Sequence, residues 1–182
     1  RLTFFESIFI MNFFWAINII AGLFMGLNYT KKDRVAPLNY LSGIEDVQAV
    51  LLEGSQGGTK QTPVYYLGEN AIDYNQFDYD IIGYKEYWSR PQALPSHIRI
   101  SYTLDRSKST DSVRQEFDRM QRFPNYVVFY REDSLEQRMT DVKVLLEAER
   151  LEPVEAFEPS SLDKLLNFFN PRVHKRNDTK VF

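Results

Sequence analysis

One uncharged apolar stretch constrains this chain more than any other feature: Ser7 to Leu27, SIFIMNFFWAINIIAGLFMGL. At a rise of about 1.5 Å per residue its 21 positions would make a helix roughly 30 Å long. That is the thickness of a bilayer's hydrocarbon core. Asn12 and Asn18 interrupt the run, and in lipid such amides favour a neighbouring helix over acyl chains. Glu6 stands before it, and Lys31, Lys32, Asp33 and Arg34 follow. The stretch reads as a membrane span in preference to a buried core helix. A signal peptide fits less well, because the apolar run is too long and an acid precedes it. The chain begins at Arg1 rather than Met, which is expected of a piece of a larger protein whose chemistry lies partly elsewhere. By the positive-inside rule, Lys31 to Arg34 would put that end of the span on the cytoplasmic side.

Residues 28–182 suffice for one domain with its own core. The net charge of −3 gives no reason to expect a nucleic-acid partner. With no cysteine, disulfides, thiolate metal sites and a cysteine nucleophile are excluded. The two histidines, His97 and His174, would both be needed with carboxylates for zinc, so no metal or other cofactor is expected.

Pro37 fits the first turn of a helix that Leu38, Tyr40 and Leu41 continue and Gly43 stops. Val47 to Gly54 suits a buried strand. The glycines that follow, with Lys60, invite a phosphate-loop reading. The spacing fails it: counted from Gly54, the pattern needs Gly at 59 and Ser or Thr at 61, where Thr59 and Gln61 stand. Tyr65 to Trp88 is aromatic and acidic. Asp73, Asn75, Asp78 and Asp80 suggest a calcium loop, but Phe77 and Asp78 occupy positions that need a polar ligand and a glycine. Its tyrosines are expected to pack over the core; such rings also stack on sugars or line a membrane interface.

From His97 the chain alternates as a strand, with Ile98, Ile100, Tyr102 and Leu104 on one face and Pro91 and Pro95 before it. His97 reads as a surface residue rather than a base. Val113, Phe117 and Met120 share a helix face, with Ser109, Thr110 and Asp111 offering cap oxygens. Tyr126 to Tyr130 is a short buried strand, ahead of which Pro124 ends the helix. Ser134 with Gln137 reads as a capping box opening a helix with Leu135, Met139, Val142 and Leu146 as its apolar stripe. The arginines and glutamates of that helix read as its solvated face. Leu151 to Phe157 is an edge strand, because Pro153 cannot donate to a ladder. Ser160 with Asp163 caps a last helix, Leu162 to Phe169, ended by Pro171. Strands and helices alternate. The expected fold is therefore α/β: a small, mostly parallel sheet sandwiched by helices and preceded by one N-terminal transmembrane helix. The boundaries are 1–30 for the span, 31–171 for the α/β domain and 172–182 for a basic flexible tail.

Three segments resemble the C-terminal end of the lipid-linked-sugar glycosyltransferases of the GT-C superfamily, nearest to the dolichol-phosphate-mannose-dependent mannosyltransferases of GPI-anchor and N-glycan assembly. Ala21 to Leu41 is similar to that family's last span, basic turn and amphipathic helix. Val50 to Gly68 is similar to its strand, polar loop and TP-x-Y segment, here Thr62, Pro63 and Tyr65. Leu94 to Tyr102 is similar to its LP-T/S-H strand. The resemblance covers Trp15 to Tyr130. It implies an endoplasmic-reticulum membrane protein with a lumenal domain, or a bacterial inner-membrane protein with a periplasmic one, against the charge reading at Lys31 to Arg34. It also implies sugar transfer from a polyprenyl phosphate. The family's catalytic acid and its His-Lys-Glu segment lie in earlier loops, so no catalytic residue is carried over to these 182 positions. The expected partners are membrane lipid, other transmembrane helices and a polyprenyl-linked sugar donor. Tyr65, Tyr66 and Trp88 are the candidate sugar-facing aromatics, and Asn177 in Asn-Asp-Thr is the candidate glycosylation site. Asn28 opens a second sequon but lies too near the membrane. The competing reading is a single-span α/β accessory subunit without catalysis; a self-contained enzyme would need acid–base partners that the spacing does not supply.

Overall fold

The computed structural model describes residues 4–27, 32–54, 64–74, 94–130, 134–169 and 178–182. The chain divides into two units, 1–32 and 33–182.

The first unit is one helix, α1 (Phe4–Leu27), 24 residues long. Its side chains are described over residues 7–22, and among the described residues no helix is long and apolar enough to cross a membrane. A helix forms where the span was expected, but its crossing of a membrane is not supported by the described residues. Phe9, Ile10, Phe13, Phe14, Trp15 and Ile19 are each more than half exposed. Asn18 spends one amide N–H on its own helix, Nδ2 donating to Phe14 O at 2.8 Å.

The second unit is a six-stranded sheet between helices. Its elements are α2 (Lys32–Ser42), β1 (Ala49–Glu53), a 3₁₀ turn (Val64–Leu67), β2 (Ala71–Asp73), β3 (Arg99–Thr103), α3 (Thr110–Met120), β4 (Tyr126–Phe129), α4 (Leu135–Leu146), β5 (Glu155–Phe157), α5 (Ser161–Phe169) and β6 (Thr179–Val181). The strand order is β2-β3-β1-β4-β6-β5. The first four run parallel, and β6 is antiparallel to both β4 and β5. The expected mixed α/β fold with a mostly parallel sheet is what forms.

Side-chain alternation sorts β1 into two cores. Ala49 and Leu51 face Val113, Phe117 and Met120 of α3 and Val142 and Leu145 of α4. Val50 and Leu52 face Leu38 and Leu41 of α2 and Leu67 of the 3₁₀ turn. A strand apolar on both faces is what a sheet covered on both sides requires. Ile98, Ile100 and Tyr102 lie in the first core and Leu104 packs on it, as the alternation predicts.

Local signals are kept at some helix ends and overridden at others. Ser109 caps α3, accepting from Ser112 N at 3.2 Å. Ser160 and Asp163 form a reciprocal box at α5: Ser160 N donates to Asp163 Oδ2 at 2.9 Å, and Asp163 N to Ser160 Oγ at 3.2 Å. The box expected at α4 does not form; Ser134 sits at φ 52° with no side-chain cap bond. Pro37 lies inside α2 rather than in its first turn. Lacking an N–H, it leaves the Asp33 carbonyl without its helical donor. Thr179 Oγ1 of β6 donates to that carbonyl at 3.2 Å. The reading of 172–182 as a flexible tail is corrected at its end, where Thr179 and Val181 are fully buried in β6. Residues 170–177 lie outside the described residues.

Candidate functional site

Strand β1 ends in a carboxylate. Alternation turns Glu53 to the same side as Ala49 and Leu51, beneath α4, where it is fully buried. Both of its oxygens are taken by guanidinium groups. Oε1 accepts from Arg106 Nε at 3.1 Å and Nη2 at 2.7 Å. Oε2 accepts from Arg138 Nε at 2.8 Å and from Arg138 Nη2. Arg138 is itself buried, its guanidinium 5.6 Å from the centroid of Phe129. Arg106 comes from the turn after β3, is 37% exposed, and approaches Asp141 of α4 at 3.9 Å.

This cluster sits at the C-terminal ends of β1 and β3, where open α/β sheets usually place ligands. An open depression at the start of α4 adjoins it in sequence, lined by Ser134, Leu135, Glu136, Gln137 and Thr140. The chemistry of the Glu53 group is nevertheless that of a clamp. Two forked guanidiniums saturate the acceptor sites a proton or a ligand would use. The group ties β1, the β3–α3 turn and α4 together. It also corrects the reading of the charges on α4 as solvent-facing, because Arg138 points inward. The signal for it was present: a glutamate closing a strand that is otherwise apolar needs a buried cation.

Three other arginines serve as carbonyl staples. Arg99 of β3 donates to Leu41 O at 3.3 Å, Ser42 O at 2.9 Å, Leu67 O at 2.9 Å and Ile44 O at 2.7 Å, joining the end of α2 to the 3₁₀ turn. Arg122 reaches Leu94 O, Pro95 O, Ser96 O and Ile98 O. Arg114 takes Leu145 O and Val144 O at the end of α4.

Of the aromatics expected to face a sugar, Tyr65 and Tyr66 lie among the described residues. Tyr65 and Tyr66 sit in the 3₁₀ turn with ring centroids 4.2 Å apart and planes at 37°. Tyr65 is 70% exposed, and Tyr66 packs against the α2-side core. The hydrogen bond with the Tyr66 hydroxyl, ahead of burial, pushes the Tyr65 phenol above its usual range. Trp88 and Asn177 lie outside the described residues, so the structure does not place them with the tyrosines. His97 is exposed ahead of β3, and His174 lies outside the described residues. Asp73 is buried at the end of β2, while Asn75, Asp78 and Asp80 lie outside the described residues, as does the glycine loop from 55 to 60. Among the described residues no group of three or more His, Asp or Glu side chains is placed to hold a metal ion.

Comparison with protein families, with characterised proteins and with solved structures finds no match for this chain.

Proposed function

We propose that α1 is a membrane helix and that the α/β unit is the extramembrane support domain of a membrane-embedded glycosyltransferase of the GT-C kind, using a polyprenyl-phosphate sugar donor. The observation that carries the membrane half is the surface of α1. Nine large apolar side chains between Phe9 and Ile20 are 49–71% exposed. Successive positions turn by about 100°, so these side chains cover the whole circumference. A helix packing on a globular surface needs one apolar stripe; one that is apolar all round sits in a membrane or in the core of a large protein, and its uncharged length favours the membrane. Its 24 residues correspond to about 36 Å, against about 30 Å for the hydrocarbon core. The 16 positions with described side chains account for about 24 Å of that.

The transferase half rests on the resemblance. Two of its segments supply β1 and β3, which pair directly, Val50 opposite Ser101 and Leu51 opposite Tyr102. The same stretch carries Tyr65, whose exposed ring is of the kind that stacks on sugars. In this reading the unit is a scaffold and acceptor platform, on the lumenal or periplasmic side of the membrane, and the reacting groups lie in earlier loops. The closed Glu53 clamp favours the second reading, a single-span accessory subunit, because it fills the usual ligand edge of the sheet with structural ion pairs.

Immunoblotting of native membranes with an antibody against the α/β unit separates the two. A band far above 21.5 kDa, together with sugar transfer from a polyprenyl phosphate by that protein, is the expected result. A band near 21.5 kDa ends the transferase reading and leaves the accessory one. N-glycosylation at Asn177 in a eukaryotic host would support the lumenal side.

A further inference from the structure

Two carboxamides in the middle of α1 lack partners. Asn12 is exposed and makes no hydrogen bond among the described residues. Asn18 donates one N–H to Phe14 O at 2.8 Å, and its Oδ1 accepts nothing. Both lie deep in the helix. Measured along the axis from the midpoint of Phe4–Leu27, Asn12 is about 5 Å away and Asn18 about 4 Å. From that depth neither short side chain reaches the headgroups of a bilayer. Hydrocarbon supplies no donor or acceptor, so an amide held there needs a partner from protein.

The two amides are also gathered on one side. With about 100° of turn per residue, Ser7, Asn12, Asn18, Gly22 and Gly26 fall within one sector of about 140°. Every other position from Ile8 to Leu27 is apolar, and Phe9, Phe13, Ile17 and Ile20 stand on the opposite side. Within the sector Gly22 leaves open space, since a Cβ built on it meets nothing within 4 Å. A glycine on a membrane helix lets a second backbone come close enough for side-chain hydrogen bonds.

We propose that this sector of α1 is a helix–helix contact whose occupant is another membrane helix presenting a hydrogen-bonding side chain at mid-depth. The inference rests on the membrane reading of α1. The occupant is a different helix rather than a second copy of α1. Trp15 lies at the centre of the sector, so two copies related by a two-fold axis would set Trp15 against itself where Gly22 calls for close approach. The wide apolar side around Phe13 and Ile17 is left to lipid.

The chain has no native cysteine, so single introduced ones report cleanly. Bimane would be placed at Ile19→Cys inside the sector, and at Phe13→Cys or Ile17→Cys opposite it. The full chain would be taken from its native membranes in styrene–maleic acid discs, which keep neighbouring helices in place. The cysteine-free chain supplies the background, and doxyl-stearic acid in the disc lipid is the quencher. Quenching at Ile19 should be several-fold weaker than at Phe13 and Ile17. It should rise to their level when Asn12→Leu and Asn18→Leu are combined. Equal quenching at all three positions overturns the proposal, and so does shielding that the double variant leaves unchanged. Oxidation of Trp15→Cys to a disulfide-linked pair of chains also overturns it, by assigning the face to a second copy. Aqueous iodide separates this inference from the reading beneath it. Labels silent to iodide but equally quenched by doxyl lipid sink only the helix contact, whereas labels quenched by iodide and not by lipid sink the membrane reading with it.

Discussion

At the scale of single residues, buried charge and buried hydroxyls set the sharpest constraints. Glu53 is fully buried against the buried Arg138, with the half-exposed Arg106 completing its coordination. Removing one partner of such a pair leaves an uncompensated charge, at a cost of about 3–5 kcal/mol. Glu53→Gln should therefore destabilise the α/β unit by about that amount, measured by urea unfolding in detergent. Arg106→Gln should cost much less, because solvent screens its partly exposed guanidinium. The combination Glu53→Met with Arg138→Met should recover most of the loss; a double variant as weak as Glu53→Gln would contradict the clamp. Tyr102 and Tyr130 give a pH dependence. Burial, ahead of other causes, raises both phenols well above the usual value, and each donates its proton to a carbonyl: Tyr102 to Arg122 O at 2.8 Å, Tyr130 to Arg34 O at 3.4 Å. Unfolded tyrosine ionises near pH 10. Above that pH the native state holds protons that the unfolded state has lost, so stability falls as pH rises. Below it neither state ionises, and the contribution is fully present. The urea midpoint should stay level from about pH 8 to 9.5 and then decline. In Tyr102→Phe the decline should be shallower; an unchanged slope would refute the assignment.

At the scale of elements, the proline inside α2 and the last strand are parts of one arrangement. Pro37 cannot donate to the Asp33 carbonyl, and Thr179 of β6 does. Thr179→Val should cost about 1 kcal/mol in the native background. In a Pro37→Ala background the restored helical N–H competes for the same carbonyl, so the cost should shrink, giving a coupling of about 0.5 kcal/mol or more in a double-mutant cycle. Strictly additive effects would contradict the arrangement. This pairing also marks the limit of what the sequence discloses. Helix α3 was legible because its cap and apolar spacing agree with the packing it finds, and α5 because the Ser160–Asp163 box marks its start. Strands β1 and β4 were legible as short continuous apolar runs, and β3 by its alternation. Of the three-residue strands, β5 was legible as the end of an edge segment marked by Pro153, whereas β2 and β6 carry no such mark and β6 follows a polar run that reads as solvated. The α4 cap failed because Ser134 takes a left-handed conformation that turns its hydroxyl away from the helix N–H groups. Arg138 was misread for a related reason: spacing assigns a charge to solvent unless the buried partner, here 85 residues away, is known. The Tyr65–Tyr66 pair was visible as composition, but its exposure depends on the 3₁₀ turn that Arg99 holds against α2.

At the scale of the whole molecule, two kinds of surface coexist in one chain. The α/β unit buries its apolar residues in two cores on either side of a sheet, as a water-facing domain does. The α1 helix instead exposes them on every side, a surface that water does not tolerate. Alkaline carbonate extraction of membranes holding the full chain decides whether α1 resides in a bilayer, as proposed. The chain is expected to stay with the membrane pellet, and replacing Phe13 and Ile17 together by lysine is expected to release it without unfolding the α/β unit. Release of the unaltered, folded chain into the supernatant would contradict the claim and assign the apolar surface of α1 to a protein partner.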